Sequence, residues 1–273
     1  MMFTQVNRRG LVLLGCGKMG SAMLEGWLKQ GLALSAVWVA DPQPSDWVRG
    51  LAAKGLDLNA GFPPDPAIVL VAVKPQMMTE ALPQLAPMGG GGTLFVSVAA
   101  GTPISHYETV LGAGTPVIRA MPNTPAAVGR GITAIVGNAV ASEEDMALAE
   151  AFLGAVGQVV RLEGEHQMDA VTAVSGSGPA YVFHLIEALA AAGEAEGLPA
   201  ALSMQLARAT VTGAGELAHR SAETPTQLRV NVTSPGGTTA AALGVLMDPD
   251  TGFPPLLRRA VKAAADRGRE LGK

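Results

Sequence analysis

Gly15, Gly17 and Gly20 stand in G-x-G-x-x-G spacing within Gly15-Cys16-Gly17-Lys18-Met19-Gly20, directly after the apolar run Leu11-Val12-Leu13-Leu14. At a strand-to-helix turn the first glycine permits the tight bend. The second lets the backbone approach a pyrophosphate, and the third lets helix and strand pack closely. Backbone N–H groups at the helix start then receive the phosphates. The Gly-Lys-Ser/Thr ending of a P-loop is missing, since Ser21 and Ala22 follow Gly20. The spacing therefore predicts a bound dinucleotide, with contacts from Gly15, Cys16, Gly17, Lys18, Met19 and Gly20. Asp41 lies about 20 residues further on, where a carboxylate accepts from the ribose hydroxyls of NAD and opposes the 2′-phosphate of NADP. An Asp before Pro42 also suits a simple turn, so both readings stand.

Ala72-Val73-Lys74-Pro75 closes another apolar run. Ligands of doubly wound sheets bind beyond the carboxyl ends of strands, so these four residues are expected at the cofactor. The small residues from Ser97 to Gly101, Ala99 among them, occupy the matching place after the next run and would let a nicotinamide ribose lie close to the backbone. Met121-Pro122-Asn123-Thr124-Pro125 is a turn stiffened by prolines on both sides. Ser175-Gly176-Ser177-Gly178-Pro179 offers hydroxyls and backbone donors before a long helix, a place for a carboxylate. It lacks the G-x-S-x-G order of a hydrolase nucleophile. Thr233-Ser234-Pro235-Gly236-Gly237-Thr238-Thr239 combines two glycines with three threonines at a helix start, the makings of a second anion nest with hydroxyl donors beside it.

The elements that must position these residues are legible in the apolar runs. Residues 11–14, 37–40, 68–73 and 94–98 read as strands, with weaker candidates at 116–120 and 132–136 and an edge strand at 159–161. Runs that are apolar on both faces and alternate with helical segments, such as 19–30, predict a largely parallel sheet covered on both sides. After residue 163 the strand-like runs stop. Ala/Leu-rich segments at 166–175, 179–196, 199–219, 225–232, 238–247 and 254–271 read as helices. The expected fold is an α/β doubly wound domain over residues 8–163, followed by an all-α domain over 164–273. The greasy helical faces predict packing on a second subunit.

The 273 residues carry 19 Lys and Arg against 23 Asp and Glu, with no basic block, which disfavours a nucleic-acid surface. Cys16 is the single cysteine, so no intramolecular disulfide is available and a reducing cytoplasm fits. Arg8 and Arg9 before a short apolar run only faintly echo a signal peptide. The longest greasy stretch, 180–192, holds His184 and Glu187 and is too short for a membrane span. The histidines show no metal-ligand spacing, so no metal is expected.

Taken in order, these motifs resemble the pyrroline-5-carboxylate reductase family over essentially the whole chain. The match includes Arg119-Ala120-Met121-Pro122-Asn123-Thr124-Pro125, Ser175 to Tyr181, and the loop 233–239 continued through Leu243, Leu246 and Asp248. The resemblance implies a Rossmann-type domain followed by a helical dimerisation domain, assembled as dimers or rings of dimers. It implies reduction of L-1-pyrroline-5-carboxylate to L-proline by NAD(P)H, the last step of proline biosynthesis. Thr239 would hydrogen-bond the substrate ring nitrogen. Ser234 and the N–H groups of Gly236, Gly237 and Thr238 would hold its carboxylate, with Ser175 also at the substrate. Asn59 falls at a spacing that resembles a family contact to the adenosine ribose or its phosphate. NADP(H) is the family's usual cofactor, and Asp41 keeps NAD(H) open.

Two rival readings are weaker. A 3-hydroxy acid dehydrogenase would need a helix lysine as acid/base, and no Lys lies between Lys74 and Lys262. A non-catalytic nucleotide-binding protein would not need the Thr239 loop.

Overall fold

A computed structural model of the chain describes residues 3–272. The strands are β1 (Leu11–Leu14), β2 (Val37–Ala40), β3 (Asp57–Leu58), β4 (Ile68–Val71), β5 (Leu94–Ser97), β6 (Val117–Met121), β7 (Gly131–Gly137) and β8 (Gly157–Arg161). The helices of the first half are α1 (Thr4–Arg9), α2 (Lys18–Lys29), α3 (Asp46–Ala52), α4 (Met78–Ala81), α5 (Ile104–Leu111) and α6 (Glu143–Leu153). After them come α7 (Met168–Val171), α8 (Gly178–Ala195), α9 (Ala200–Arg220), α10 (Pro225–Asn231), α11 (Thr238–Leu246) and α12 (Phe253–Leu271).

Every residue of β1, β4 and β5 is buried, as runs apolar on both faces require when helices cover a sheet from both sides. Among the described residues the strands form one sheet in the order β3-β2-β1-β4-β5-β6-β7-β8. Neighbours run parallel except β6 and β7. The chain moves outward from β1 to β3 and then returns to place β4 on the other side of β1, so the order reverses between β1 and β4. Register aligns the strand ends there. Leu14 pairs with Ala40 and with Val71, and Val71 pairs with Ser97. Gly15, Asp41, Ala72 and Val98 therefore leave the sheet side by side at its carboxyl edge.

One face of the sheet is filled around Trp27, which stacks on Phe152 with ring centroids 3.8 Å apart and donates its Nε1–H to the Phe152 carbonyl at 2.7 Å. Met23, Leu24 and Val48 complete that layer. Leu82, Leu85, Phe95 and Tyr107 fill the other face. The two weaker strand candidates form β6 and β7, and β8 lies at the sheet edge as expected.

Three features depart from the expectations. Residues 4–9 form α1, a helix the apolar runs do not announce, and Arg9 reaches Asp65 Oδ1 at 2.7 Å and the carbonyl oxygens of Pro66 and Gly92. The short β3 and α3 carry no periodicity long enough to read. Residues 166–175 are not one helix: a tight turn at Glu165–Gln167 leads into α7, which widens to a π turn at Thr172–Gly176.

The chain divides into two compact units. One runs to Gly176 and takes in the chain again from Ala265, and the other is Ser177–Ala264. The second is helical throughout. Within it α8 and α9 approach closely where Gly193 has no side chain: a Cβ there would lie 3.1 Å from Ser203 Oγ. Its surface shows apolar side chains on several helices, including Phe183, Leu206 and Val245. No helix among the described residues is long and apolar enough to cross a membrane. The described residues hold no cluster of side chains suited to a metal ion.

Candidate active site

The glycine-rich turn is built by three different constraints. Gly15 continues the ladder, donating its N–H to the Ala40 carbonyl at 2.8 Å, and then bends with φ +86°. A Cβ there would lie 2.9 Å from Val73 Cγ1 and 3.0 Å from the Ala72 carbonyl oxygen. Gly20 packs α2 against the turn, since its Cβ would sit 2.8 Å from the Gly15 oxygen. Gly17 differs from both. A Cβ added there meets nothing within 4 Å, so the space beside its backbone is open. Gly17 is also the residue before α2, and no side chain caps that helix. The first N–H groups of α2, on Lys18, Met19 and Gly20, have no intrahelical acceptor. Open space beside uncapped donors fits a pyrophosphate.

Cys16 is buried, and Ser21 Oγ donates to its carbonyl at 2.8 Å. Burial above all pushes the Cys16 thiol up to about 11, with Asp41 adding to the effect and the Ser21 hydrogen bond opposing it. The thiol is protonated at neutral pH and serves packing, not nucleophilic chemistry.

Asp41 is engaged on both oxygens. Its Oδ2 accepts from the Cys16 N–H at 2.7 Å and its Oδ1 from the Gln43 N–H at 2.8 Å. The carboxylate therefore makes the turn and also ties it to the glycine-rich loop. Each oxygen keeps a further lone pair for a ribose hydroxyl. Asn59 holds Asp41 from the far side. Its Oδ1 accepts the Asp41 N–H and its Nδ2 donates to the Asp41 carbonyl, both at 2.9 Å. Asn59 itself has φ +54°, a left-handed conformation that Asn tolerates better than most residues.

Beyond β4, Ala72 is half-buried, Val73 packs on Gly15, and Lys74 and Pro75 are exposed at the rim. After β5, Ala99 donates its N–H to Ser97 Oγ at 3.2 Å, which shapes the loop at its start. The cofactor residues expected from the sequence thus gather at the carboxyl edge of β2, β1, β4 and β5.

The substrate residues expected from the sequence fall in both units. Ser175 belongs to the first and lies in the π turn, its hydroxyl donating to the Val171 carbonyl at 3.0 Å. Gly176 beside it is required by packing, because its Cβ would stand 2.6 Å from Met121 Cε. Asn123 of the proline-flanked turn accepts the Ile132 N–H on its Oδ1 at 3.0 Å, so that loop is fixed by its own side chain.

The loop 233–239 belongs to the second unit. Thr233 Oγ1 donates to the Arg229 carbonyl at 2.6 Å, anchoring the loop to α10. Gly236 takes φ +71°, and the Gly237 N–H closes a turn on the Ser234 carbonyl at 3.1 Å. No side chain caps α11, so the N–H groups of Thr238 and Thr239 stand without intrahelical partners, and the Thr239 hydroxyl belongs to the same turn. Downstream, hydrogen bonds from Thr251 and Asp250 hold the Asp248 carboxyl below its usual range and lock the approach to α12.

Residues 165–271 match the family model for pyrroline-5-carboxylate reductase dimerisation. Residues 10–101 match a model described as NADP oxidoreductase, coenzyme F420-dependent. A pyrroline-5-carboxylate reductase from Pseudomonas aeruginosa is 38% identical over 266 residues, covering 96% of this chain and 97% of that protein. The chain belongs to the pyrroline-5-carboxylate reductase family. The soybean (Glycine max) member is 37% identical over 96% of this chain and 95% of its own length. Among solved structures, the family member from Coxiella burnetii superposes with a TM-score of 0.89 at 32% identity, covering 97% of this chain and 99% of that one. The Plasmodium falciparum enzyme, solved with NADP bound, gives 0.82 at 28% identity over 98% and 99% of the two chains. The family resemblance and the fold class read from the sequence are both borne out.

The sequence reading passed over a buried polar group behind the β5 loop. Ser97 and Tyr107 share a hydrogen bond, and Arg119 pairs with Glu165. Nothing in the spacing of these residues signals that they meet. Only the buried Arg in an otherwise apolar strand was a visible oddity.

Proposed function

We propose that this chain reduces L-1-pyrroline-5-carboxylate to L-proline, the last step of proline biosynthesis, with NADP(H) as cofactor and NAD(H) as the alternative. The observation that carries this reading is the loop 233–239. Its backbone turn sets uncapped helix donors beside the Thr239 hydroxyl. The N–H groups of Gly236, Gly237 and Thr238, with the Ser234 hydroxyl, receive the substrate carboxylate, where the positive end of the α11 dipole favours an anion. Thr239 then holds the ring nitrogen of the cyclic imine. Protonation of that nitrogen makes the neighbouring carbon more electrophilic. A threonine hydroxyl is too weak an acid to be the sole proton source, so Thr239 orients and stabilises instead. Ser175 contributes a further hydroxyl at the substrate.

Bound NAD(P)H supplies the hydride. Gly17, Lys18, Met19 and Gly20 receive its pyrophosphate, on the turn that Gly15 and Cys16 shape beneath it. Ala72, Val73, Lys74, Pro75 and Ala99 line its path along the strand ends, and Asp41 with Asn59 receives the adenosine ribose. By function, residues 8–163 serve as the dinucleotide domain and residues 164–273 as the domain for dimerisation and substrate, although the chain up to Gly176 and again from Ala265 is compact with the first. The exposed apolar helices pack on a second copy, giving dimers or rings of dimers. The single cysteine and mildly acidic charge fit a cytoplasmic enzyme without a nucleic-acid or membrane partner.

Asp41 weakens the preference for NADP(H) in this account and keeps NAD(H) usable. Asn keeps a shape and an acceptor for the Cys16 or Gln43 N–H while removing the charge that opposes a 2′-phosphate. Asp41→Asn raises the NADP to NAD ratio of kcat/KM by about tenfold, equivalent to roughly 1.4 kcal/mol. Thioproline oxidation at high pH, run with NAD and with NADP on both proteins, tests reaction class and preference together. Absence of turnover with either cofactor contradicts the proposed reaction. An unchanged ratio in the variant removes Asp41 from cofactor choice.

A further inference from the structure

Tyr107 is a fully buried tyrosine, 0% exposed, in the layer that covers β5. A phenol hydroxyl taken out of water needs hydrogen-bond partners, and where they lie is informative. Tyr107 shares a hydrogen bond of 2.5 Å with Ser97 Oγ. Ser97 and Thr102 are themselves buried. They are the two ends of one loop: Ser97 is the last residue of β5, and Thr102 follows the φ +74° bend at Gly101. Ser97 Oγ also accepts the Ala99 N–H, so the hydroxyl bridge reaches the backbone of the loop itself.

The post that carries Tyr107 is fixed in turn. The Ile104 N–H, at the start of α5, donates to Glu165 Oε1 at 2.9 Å, and Arg119 Nη1 donates to the same oxygen at 2.7 Å. Arg119 is buried, so this ion pair holds β6, α5 and the segment before α7 as one frame. The loop is also backed by the end of α12, where Leu271 Cβ lies 3.3 Å from the Cβ position of Gly101. A short loop of small residues is thereby held from the β5 end, from α5 and from α12.

We propose that Tyr107 is a positioning residue for hydride transfer: its hydroxyl holds Ser97 Oγ, which in turn takes the Ala99 N–H, and so fixes the loop of residues 98–101 against the nicotinamide ribose. The assignment rests on the dinucleotide path described under the proposed function. It does not depend on which imine is reduced.

Tyr107→Phe keeps the buried ring and removes only the bridge, and Ser97→Ala removes the same bridge from its other end. The test compares two ligands, NADPH and 2′-phospho-ADP-ribose, which lacks the nicotinamide. Each variant weakens NADPH binding by about fivefold and leaves 2′-phospho-ADP-ribose unchanged, because only the nicotinamide end loses its support. With the imine, kcat falls by about tenfold and the primary isotope effect from 4-deuterated NADPH rises, as misalignment at the reacting carbon requires. Equal weakening of both ligands, or a lower melting temperature with unchanged ligand ratio and isotope effect, overturns the assignment and leaves Tyr107 as packing. A wild-type protein that shows the ligand difference from its variants yet does not turn over the imine refutes the proposed reaction and keeps the loop assignment.

Discussion

Thr239→Val lowers kcat for reduction of the cyclic imine by about a hundredfold, in the range seen when one preorganised donor is removed from an active site. Valine matches threonine in volume and branching, so α11 and the turn at Ser234 and Gly237 keep their geometry. The loss is a hydrogen bond that strengthens as charge changes at the ring nitrogen. It should therefore appear in kcat and kcat/KM together, with NADPH affinity intact. Thr239→Ser restores most of the rate because it returns the hydroxyl. Steady-state kinetics on the three proteins, with NADPH binding followed by fluorescence, check this. A valine variant with wild-type kcat removes Thr239 from the reaction.

The glycine-rich turn predicts a contrast between two alanine substitutions. Gly15→Ala places a Cβ at φ +86° and within 3.0 Å of the Ala72 oxygen, so the end of β4 must move. The left-handed conformation alone costs roughly 1–2 kcal/mol. Because Val73 is buried against the turn, the strain spreads to the strand that lies under the cofactor. Both the melting temperature and NADPH affinity fall. Gly17→Ala meets nothing within 4 Å and has an ordinary φ of −70°, so folding is undisturbed. Its methyl occupies the space where the pyrophosphate approaches, and NADPH binding weakens by about tenfold or more through lost phosphate hydrogen bonds. Thermal melts and NADPH titrations on both variants separate the two effects. If Gly17→Ala binds NADPH as the wild type does, the pyrophosphate does not lie there.

Much of the first unit was legible because parallel strands buried on both faces announce themselves as unbroken apolar runs. The runs at Leu11–Leu14 and Ile68–Val71 left little else they could be. The turn after β1 was equally plain, since its glycines answer to backbone constraints that act within a few residues. Other features were hidden for physical reasons. β3 is two residues long and holds its place through pairing with β2, which no local pattern records. The interlock of Asn59 with Asp41 depends on a left-handed backbone at Asn59 and on two strands lying side by side. The position of Asp41 before Pro42 admits both a ribose role and a turn role, and only the fold shows that its carboxylate also grips the Cys16 N–H. The bridge from Tyr107 to Ser97 joins residues on a strand and a helix, and hydroxyl pairs of this kind leave no periodicity. The π turn around Ser175 is not legible as such, because one extra residue in a single turn leaves the helical pattern of 166–175 unchanged.

The proposed reaction is most directly tested by mixing the purified chain with L-1-pyrroline-5-carboxylate and NADPH, following absorbance of the reduced cofactor and identifying the product by chiral chromatography. The account predicts stoichiometric conversion to L-proline, with NADH as a second and measurable donor. A folded protein that binds NADPH but consumes none of it in the presence of the imine contradicts the account.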